Sequence, residues 1–185
     1  MVVHPGPGEE SSGNSDDIWS IHWSGLSIST NDGNHRIREI TQVPEFEYSD
    51  GERRPLGVWV HEFGHELGLP DFYDTDYSSE GIGDWGVMAS GSWADNGETP
   101  VHYSGFSKVE VGWLEPLLVT GDLLDVRLEP ASRNGKILKL PIPGNWSNAR
   151  EYFLLENRQQ LDYDTYLPGE GLLIWHVDED VSNNN

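Results

Sequence analysis

Two histidines separated by three residues are the part of this sequence whose types and spacing point most directly to chemistry. His61 and His65 stand at positions i and i+4, which lie one turn apart on the same face of a helix. Their imidazoles can therefore reach one metal ion. Glu62 lies about 100° further round the helix, so its carboxylate can reach a water molecule at that metal. The pattern indicates metal-dependent hydrolysis of peptide bonds, with Glu62 accepting a proton from the water and passing it to the leaving amine.

A third ligand is expected six residues after the second histidine. Gly68 can adopt a positive φ and turn the chain sharply out of the helix. Asp71 follows, and the turn can bring its carboxylate back to the same metal. Three protein ligands leave a coordination position open, as catalytic rather than structural sites do. The alternative reading of Asp71 is an ordinary capping or loop carboxylate.

The element that must position these residues is a helix from about residue 53 to 67. Acidic residues and Pro55 mark its start, and an apolar series from Leu56 to Leu67 follows. Gly68 and Pro70 mark its end. Gly64 inside the helix costs about 1 kcal/mol relative to alanine, which indicates close packing against another backbone.

The rest of the chain predicts an α+β fold that is mostly strand after the helix. Residues 1–17 read as a loop after a short apolar start, 18–30 as one strand or two short ones, and 36–48 as a strand with Pro44 suggesting a sheet edge. Residues 71–103 read as a long irregular segment, which is usually functional. A short helix is expected within 104–114. Strand-like runs then occupy residues 117–120, 124–128, 137–142, 152–157 and 172–177.

Composition narrows the classes of function. The chain has 185 residues, enough for one domain with a core, and a net charge of −21 without a basic patch. A nucleic-acid partner is therefore not expected. There is no apolar run long enough for a membrane span. Cysteine is absent, which excludes disulfides, thiolate metal sites and cysteine nucleophiles. Residues 1–20 show no signal peptide.

The acidic excess allows a second cation. Five carboxylates crowd the irregular segment, and a structural calcium ion there is an open alternative to simple solvation. These residues are Asp71, Asp74, Asp76, Glu80 and Asp84. Their spacing is not that of an EF-hand loop.

Residues 61–71, HEFGHELGLPD, together with 84–93, DWGVMASGSW, resemble the zinc signature and Met-turn of metzincins. The version with Asp as third ligand and this Met-turn resembles the immune inhibitor A family of bacterial secreted metalloproteases. Shorter segments spread over nearly the whole chain agree with it: HPGPGEE at 4–10, IWS at 18–20 with Trp23, SK at 107–108 with GWL at 112–114, YFLLENR at 152–158 and LPGEGLLIWHVDE at 167–179.

The resemblance implies a zinc-dependent, extracellular endopeptidase acting on proteins or peptides. It assigns His61, His65 and Asp71 to zinc, Glu62 as general base, and Met88 as a floor beneath the metal. From composition alone Met88 could be plain core filling. The whole chain, 1–185, is then a metalloprotease catalytic domain, expected to be a fragment. Residues 1–70 supply part of an upper subdomain with the active-site helix. Residues 71–185 supply a lower subdomain with the Met-turn and a β-rich region.

Several alternatives stay open. The chain could be a catalytically incompetent metal-binding fragment or module of such a protease. It could instead resemble thermolysin-like peptidases, with Glu80, Glu98 or Glu110 as third ligand. Tyr103 is a weak candidate for stabilising the oxyanion. The remaining histidines lack ligand-like spacing and are expected to be surface or hydrogen-bonded residues: His4, His22, His35, His102 and His176.

Overall fold

A small mixed sheet lies beside the long helix in the N-terminal part of the chain. The computed structural model describes residues 1–46, 56–76, 78–133, 135–142 and 150–181. Its first elements are β1 (Val2–Pro7), α1 (Glu9–Ser12), β2 (Ile21–Trp23), β3 (Ile28–Ser29), β4 (Arg36–Ile37) and β5 (Ile40–Phe46). Strand β5 is central, with β1 parallel on one side and β2 antiparallel on the other. Strands β3 and β4 form a separate antiparallel ribbon.

Two expectations for this part are wrong. Residues 1–17 are not mainly loop, because the apolar start continues as a strand through Pro7 and a short helix follows. Pro44 does not mark an edge, because β5 is the central strand. The pairing with β2 covers only residues 40–42, so Pro44 lies beyond the end of β2, where its missing N–H is tolerated. The 18–30 segment forms two short strands, as one of its two readings expected.

Helix α2 (Leu56–Glu66) is the helix expected from the histidine spacing. Its predicted start at residues 53–55 falls outside the described residues. Its end is confirmed: the amide of Leu69 donates to the carbonyl of Gly64 at 3.0 Å, and Gly68 has a φ of 90°. The indole of Trp59 donates to the carbonyl of Pro44 at 2.8 Å, which fixes the helix against β5.

Residues 71–103 are irregular, as expected, and are interrupted by 3₁₀ turns at Gly83–Trp85 and Ser90–Gly97. The segment packs under α2 rather than lying on the surface. Its apolar residues form a buried cluster with Leu69, and they are Phe72, Val87, Met88, Ala89 and Tyr103. The amide of Phe72 donates to the carbonyl of Met88 at 2.8 Å, so the start of the segment is held against its middle.

The C-terminal part is a four-stranded sheet in the order β6-β7-β8-β9. The elements are α3 (Gly105–Glu110), β6 (Leu117–Leu118), β7 (Leu138–Pro141), β8 (Glu151–Arg158) and β9 (Gly171–Asp178), with 3₁₀ turns at Ala131–Arg133 and Asp162–Tyr166. The short helix and four of the five strands expected here are confirmed. The strand expected at 124–128 is absent from this described stretch, where Asp125 has a φ of 54° that breaks extended backbone.

The architecture mixes helix and sheet, consistent with the α+β class. Two apolar clusters stabilise it: the one beneath α2, and a second around Ile137, Tyr152 and Leu154 in the C-terminal sheet. Phe106 on α3 packs against both and joins them. Within the described part of the chain, no helix is long and apolar enough to cross a membrane.

Candidate active site

The two histidines of α2 are held in one orientation by backbone carbonyls. Nδ1 of His61 lies 2.9 Å from the carbonyl oxygen of Val87, and Nδ1 of His65 lies 2.8 Å from that of Leu69. A carbonyl oxygen can only accept, so each Nδ1 carries the proton. In the neutral ring, each Nε2 is then left with a free electron pair, which is the arrangement that metal-binding histidines adopt.

Asp71 completes a cluster of three donors. Its Oδ1 lies 3.0 Å from Nε2 of His61 and 3.3 Å from Nε2 of His65. The ligand atoms all lie within 4.8 Å of one another, and this is the one such group of three among the described residues. Three electron pairs that face each other repel unless a cation lies between them. Two imidazole nitrogens and one carboxylate oxygen suit zinc, so the residues present fit that metal.

The pKa shifts of Asp71 and His65 indicate that the cluster favours a positive charge between its donors. Burial alone would raise the pKa of Asp71, but hydrogen bonds and charge from both histidines hold that pKa well below its usual range. Burial alone would lower the pKa of His65, yet the contacts with Asp71 and the Leu69 carbonyl raise it overall. The cluster therefore holds its carboxylate ionised and attracts a proton or another cation.

Glu62 lies next to this cluster and is almost fully buried, with 7% of its surface exposed. Its Oε2 has no hydrogen-bond partner among the described residues. Burial raises the pKa of Glu62, the charges of His61 and His65 oppose the shift, and Asp71 and Glu10 add to it. Glu62 also lines a cavity, and a buried carboxylate oxygen without a partner is suited to exchanging a proton with a molecule bound beside it.

Met88 is completely buried in the cluster beneath α2. Its sulfur faces Gly64, on the turn of the helix between the two histidines. The preceding residue, Val87, supplies the carbonyl that orients His61. The irregular segment therefore both supports the helix and sets the direction of one histidine, and Met88 is at once core filling and support.

Tyr103 does not face the donors in the way that an oxyanion stabiliser would need. Its hydroxyl donates to the carbonyl of Val60 at 2.6 Å, and burial raises its pKa. Because a phenol has a single proton to donate, that proton is used within the fold. The expectation that Tyr103 stabilises the oxyanion is therefore not supported, and the residue braces α2 instead.

The sequence reasoning missed Tyr73, whereas His22 is a hydrogen-bonded residue, as expected. The ring of Tyr73 lies nearly parallel to that of His61, with centroids 6.4 Å apart, and its position two residues after Asp71 was the available signal. The ring of His22 lies 6.2 Å from that of His65. Its Nδ1 lies 3.0 Å from Oγ1 of Thr41, which donates to Glu66 at 2.5 Å. This chain of contacts joins β2 and β5 to α2 behind the metal cluster.

The other histidines stay outside the cluster, as expected. His4 is buried, His35 is an exposed neighbour of Asp32, burial lowers the pKa of His102, and His176 lies 3.0 Å from Glu151 on the sheet surface. The three glutamates considered as thermolysin-like ligands do not join the donor group found in the described residues, so that alternative is wrong. They are Glu80, Glu98 and Glu110.

A calcium site in the acidic segment is not supported. Asp74 is buried, and its carboxylate accepts hydrogen bonds from the amides of Asp76 and Ser79 and from the hydroxyl of Ser78. Burial opposes ionisation, but these donors lower the pKa of Asp74 to about 2. Its oxygens fold the loop rather than gather with other carboxylates, and no second donor group was found where the structure describes the chain.

Comparison with known proteins gives a consistent picture. Residues 1–118 match the sequence profile of the family described as immune inhibitor A peptidase M6, catalytic domain. Immune inhibitor A from Bacillus thuringiensis subsp. alesti is 30% identical over 196 residues, which cover 100% of this chain and 23% of that protein. The pre-pro-metalloprotease PrtV from Vibrio cholerae serotype O1 is 36% identical over 126 residues, covering 58% of this chain and 13% of that protein. The chain thus spans less than a quarter of the length of these relatives.

Proposed function

The chain belongs to the immune inhibitor A peptidase M6 family, and we propose that it acts as a zinc-dependent endopeptidase on peptide bonds in proteins. The observation that carries the proposal is the convergence of His61, His65 and Asp71 beside a buried carboxylate, one oxygen of which has no hydrogen-bond partner among the described residues. The family match and the metalloprotease name of one relative support a metal-dependent peptidase. Zinc, endopeptidase action and the roles of individual residues are the proposed part.

His61, His65 and Asp71 are the proposed zinc ligands. Hydrogen bonds from Nδ1 to the carbonyls of Val87 and Leu69 hold both imidazoles in the ligating tautomer before the metal arrives. When bound, zinc supplies Lewis acidity that polarises a carbonyl and makes a nearby water more acidic. The carboxylate of Asp71 would offset part of the zinc charge, so the water would be less acidic than with three neutral ligands. The proton transfer would then depend more on Glu62.

Glu62 is the proposed general base and then general acid. Its Oε2 accepts a proton from the attacking water as the new C–O bond forms at the peptide carbonyl carbon. The protonated carboxyl next donates that proton to the leaving nitrogen as the C–N bond breaks. Burial raises the pKa of Glu62, so the protonated form is less unfavourable at neutral pH than for an exposed carboxyl.

We also propose a metzincin-like arrangement, with residues 1–70 on one side of the cleft and 71–185 on the other. The cavity beside Glu62 supports this division, because Glu10 and Trp19 line it from the first part and Tyr73 and Trp93 from the second. Met88 would be the floor of the metal site. An extracellular location is proposed as well, from the resemblance to secreted metalloproteases.

A second candidate function is metal binding without cleavage, because the three converging donors can hold a metal whether or not Glu62 transfers a proton. Zinc content of the purified chain, measured beside hydrolysis of a quenched protein substrate with and without chelator, separates the two. One zinc per chain with chelator-sensitive hydrolysis supports the peptidase. One zinc without hydrolysis favours the metal-binding module. Hydrolysis that persists after complete zinc removal contradicts the proposed mechanism.

A further inference from the structure

The cleft beside Glu62 contains a cavity whose lining has an unusual chemical character. It measures about 400 Å³ and is lined by His61 and Glu62 on one side. This volume lies within the range of about 300–1,000 Å³ typical of small-molecule sites. Because Glu62 lines this cavity, a substrate side chain that occupies it would belong to a residue close to the bond that is cut.

The cavity is strongly acidic. Four carboxylates line it, those of Glu10, Glu62, Asp74 and Glu80, and its described lining contains no lysine or arginine. The charge of a zinc ion would be balanced by the carboxylates of Asp71 and Glu62. The carboxylates of Glu10, Asp74 and Glu80 would then remain in the cavity wall. A cleft lined by one sign of charge concentrates ligands of the opposite sign.

Glu10 is held in place rather than free on the surface. Its carboxylate accepts hydrogen bonds from the amide of Ser20 at 3.1 Å and from the Ser20 hydroxyl at 2.6 Å. The side chain folds back over Gly8, where an added Cβ would lie 2.2 Å from Oε1 of Glu10. A carboxylate fixed in this way loses little side-chain entropy when a cation binds to it.

Aromatic rings supply the rest of the wall. Trp19, Tyr73 and Trp93 line the same cavity, and each exposes more than a third of its surface in the absence of a ligand. Aromatic faces attract alkylammonium and guanidinium groups, and they also cover the aliphatic stem of such side chains. Fixed carboxylates can therefore bind the cationic head of such a side chain, while exposed indoles cover its aliphatic stem.

We propose that this cavity is a substrate subsite that accepts a lysine or arginine side chain next to the bond that is cut. The inference rests on the proposed peptidase function, because it names the substrate class of that same site. Glu10 and Glu80 contact the cationic head, and Trp19 and Trp93 contact the stem. Glu62 stays assigned to proton transfer.

The test compares quenched peptides that differ at a single position next to the cut: arginine, its uncharged isostere citrulline, or glutamate. With zinc-loaded protein, kcat/KM for arginine should exceed that for citrulline by about tenfold, a difference of about 1.4 kcal/mol, and glutamate should be worst. Glu10→Gln keeps a hydrogen-bond acceptor for Ser20 and should lower the ratio of arginine to citrulline severalfold. Glu110→Gln, outside this cavity, should leave the ratio unchanged.

Binding provides a readout that does not need cleavage. Ligand-observed NMR of the zinc-loaded chain should detect N-acetyl-arginine amide more strongly than N-acetyl-citrulline amide, and Glu10→Gln should reduce the difference. Equal kcat/KM for arginine and citrulline at every position, or equal binding of the two amides, would overturn the subsite. Arginine-selective, Glu10-dependent binding without any peptide hydrolysis would support the cationic site and refute the peptidase function instead.

Discussion

Gly64 of helix α2 faces the sulfur of Met88 so closely that a side chain at position 64 has no room. An added Cβ would lie 2.3 Å from Sδ of Met88 and 3.1 Å from Cε1 of Tyr103. The absence of a side chain lets the helix that carries both histidines settle onto the irregular segment. That segment, through Val87, orients His61. The position of the metal cluster thus depends on a glycine that contacts no ligand.

Gly64→Ala should destabilise the protein and weaken zinc binding. Alanine favours the helix by about 1 kcal/mol, but overpacking costs about 1–3 kcal/mol, and relieving it moves the helix away from Val87. Thermal unfolding and a zinc competition titration measure both effects. Gly121→Ala is the matched control, since an added Cβ there meets nothing within 4 Å. Unchanged zinc affinity in Gly64→Ala would contradict the coupling.

Asp71→Asn should reduce zinc affinity far more than it reduces stability. Removing the charged ligand leaves two neutral imidazoles, and we expect a loss of at least about 100-fold, the upper range for disturbing a partner of a ligand. Competition with a chromogenic chelator gives the affinity, and circular dichroism checks the fold. Asp76→Asn, on the same segment but outside the donor group, should bind zinc as the wild type does. Equal affinity in the two variants would remove Asp71 from the site.

The C-terminal part should depend on a buried ion pair. Arg158 and Asp164 have no exposed surface, and two hydrogen bonds of 2.9 and 2.6 Å join them. Asp164→Asn leaves the Arg158 charge without its main partner and should cost about 3 kcal/mol. The exposed pair of Arg133 and Asp162 provides the control, because Asp162→Asn should cost less than about 1 kcal/mol. Similar denaturation midpoints for both variants would contradict the account.

Stability should fall at low pH partly through Asp74. Its pKa is lowered to about 2 from 3.8, so the folded protein binds this proton less readily than the unfolded chain. The group therefore contributes stability that is fully present above pH 3.8 and is lost as the pH falls toward 2. Asp74→Asn should melt below the wild type at pH 6, and the gap should shrink by pH 2. A constant gap across this range would exclude that role.

The local features of the site were predictable because each depends on residues that are close together in the sequence. The spacing of His61 and His65, the turn at Gly68 and the position of Asp71 all act within about a dozen residues, and the structure brings the three donors together. The end of α2 and the positions of four of the C-terminal strands along the chain follow from periodicity and turn residues in the same way.

What could not be predicted depends on contacts between distant segments. Pro44 suggested a sheet edge because proline has no N–H to donate to a neighbouring strand. The sequence does not reveal that β5 lies between β1 and β2, since tertiary pairing decides which strands are neighbours. Tyr103 was considered for the oxyanion because the carbonyl that its hydroxyl reaches, Val60, is 43 residues away. The calcium alternative is not supported, because composition counts carboxylates but does not reveal that the Asp74 carboxylate accepts hydrogen bonds from its own loop.

The most direct test of the central claim is Glu62→Gln. The change keeps the size of the side chain but removes its ability to accept a proton, so kcat on a protein substrate should fall by about 10²–10⁴-fold. Zinc content should stay at one per chain, because Glu62 is not among the three converging donors. Glu110→Gln, outside the donor group and outside the cavity beside Glu62, should keep full activity. Wild-type kcat in a Glu62→Gln protein that still holds one zinc would contradict the account.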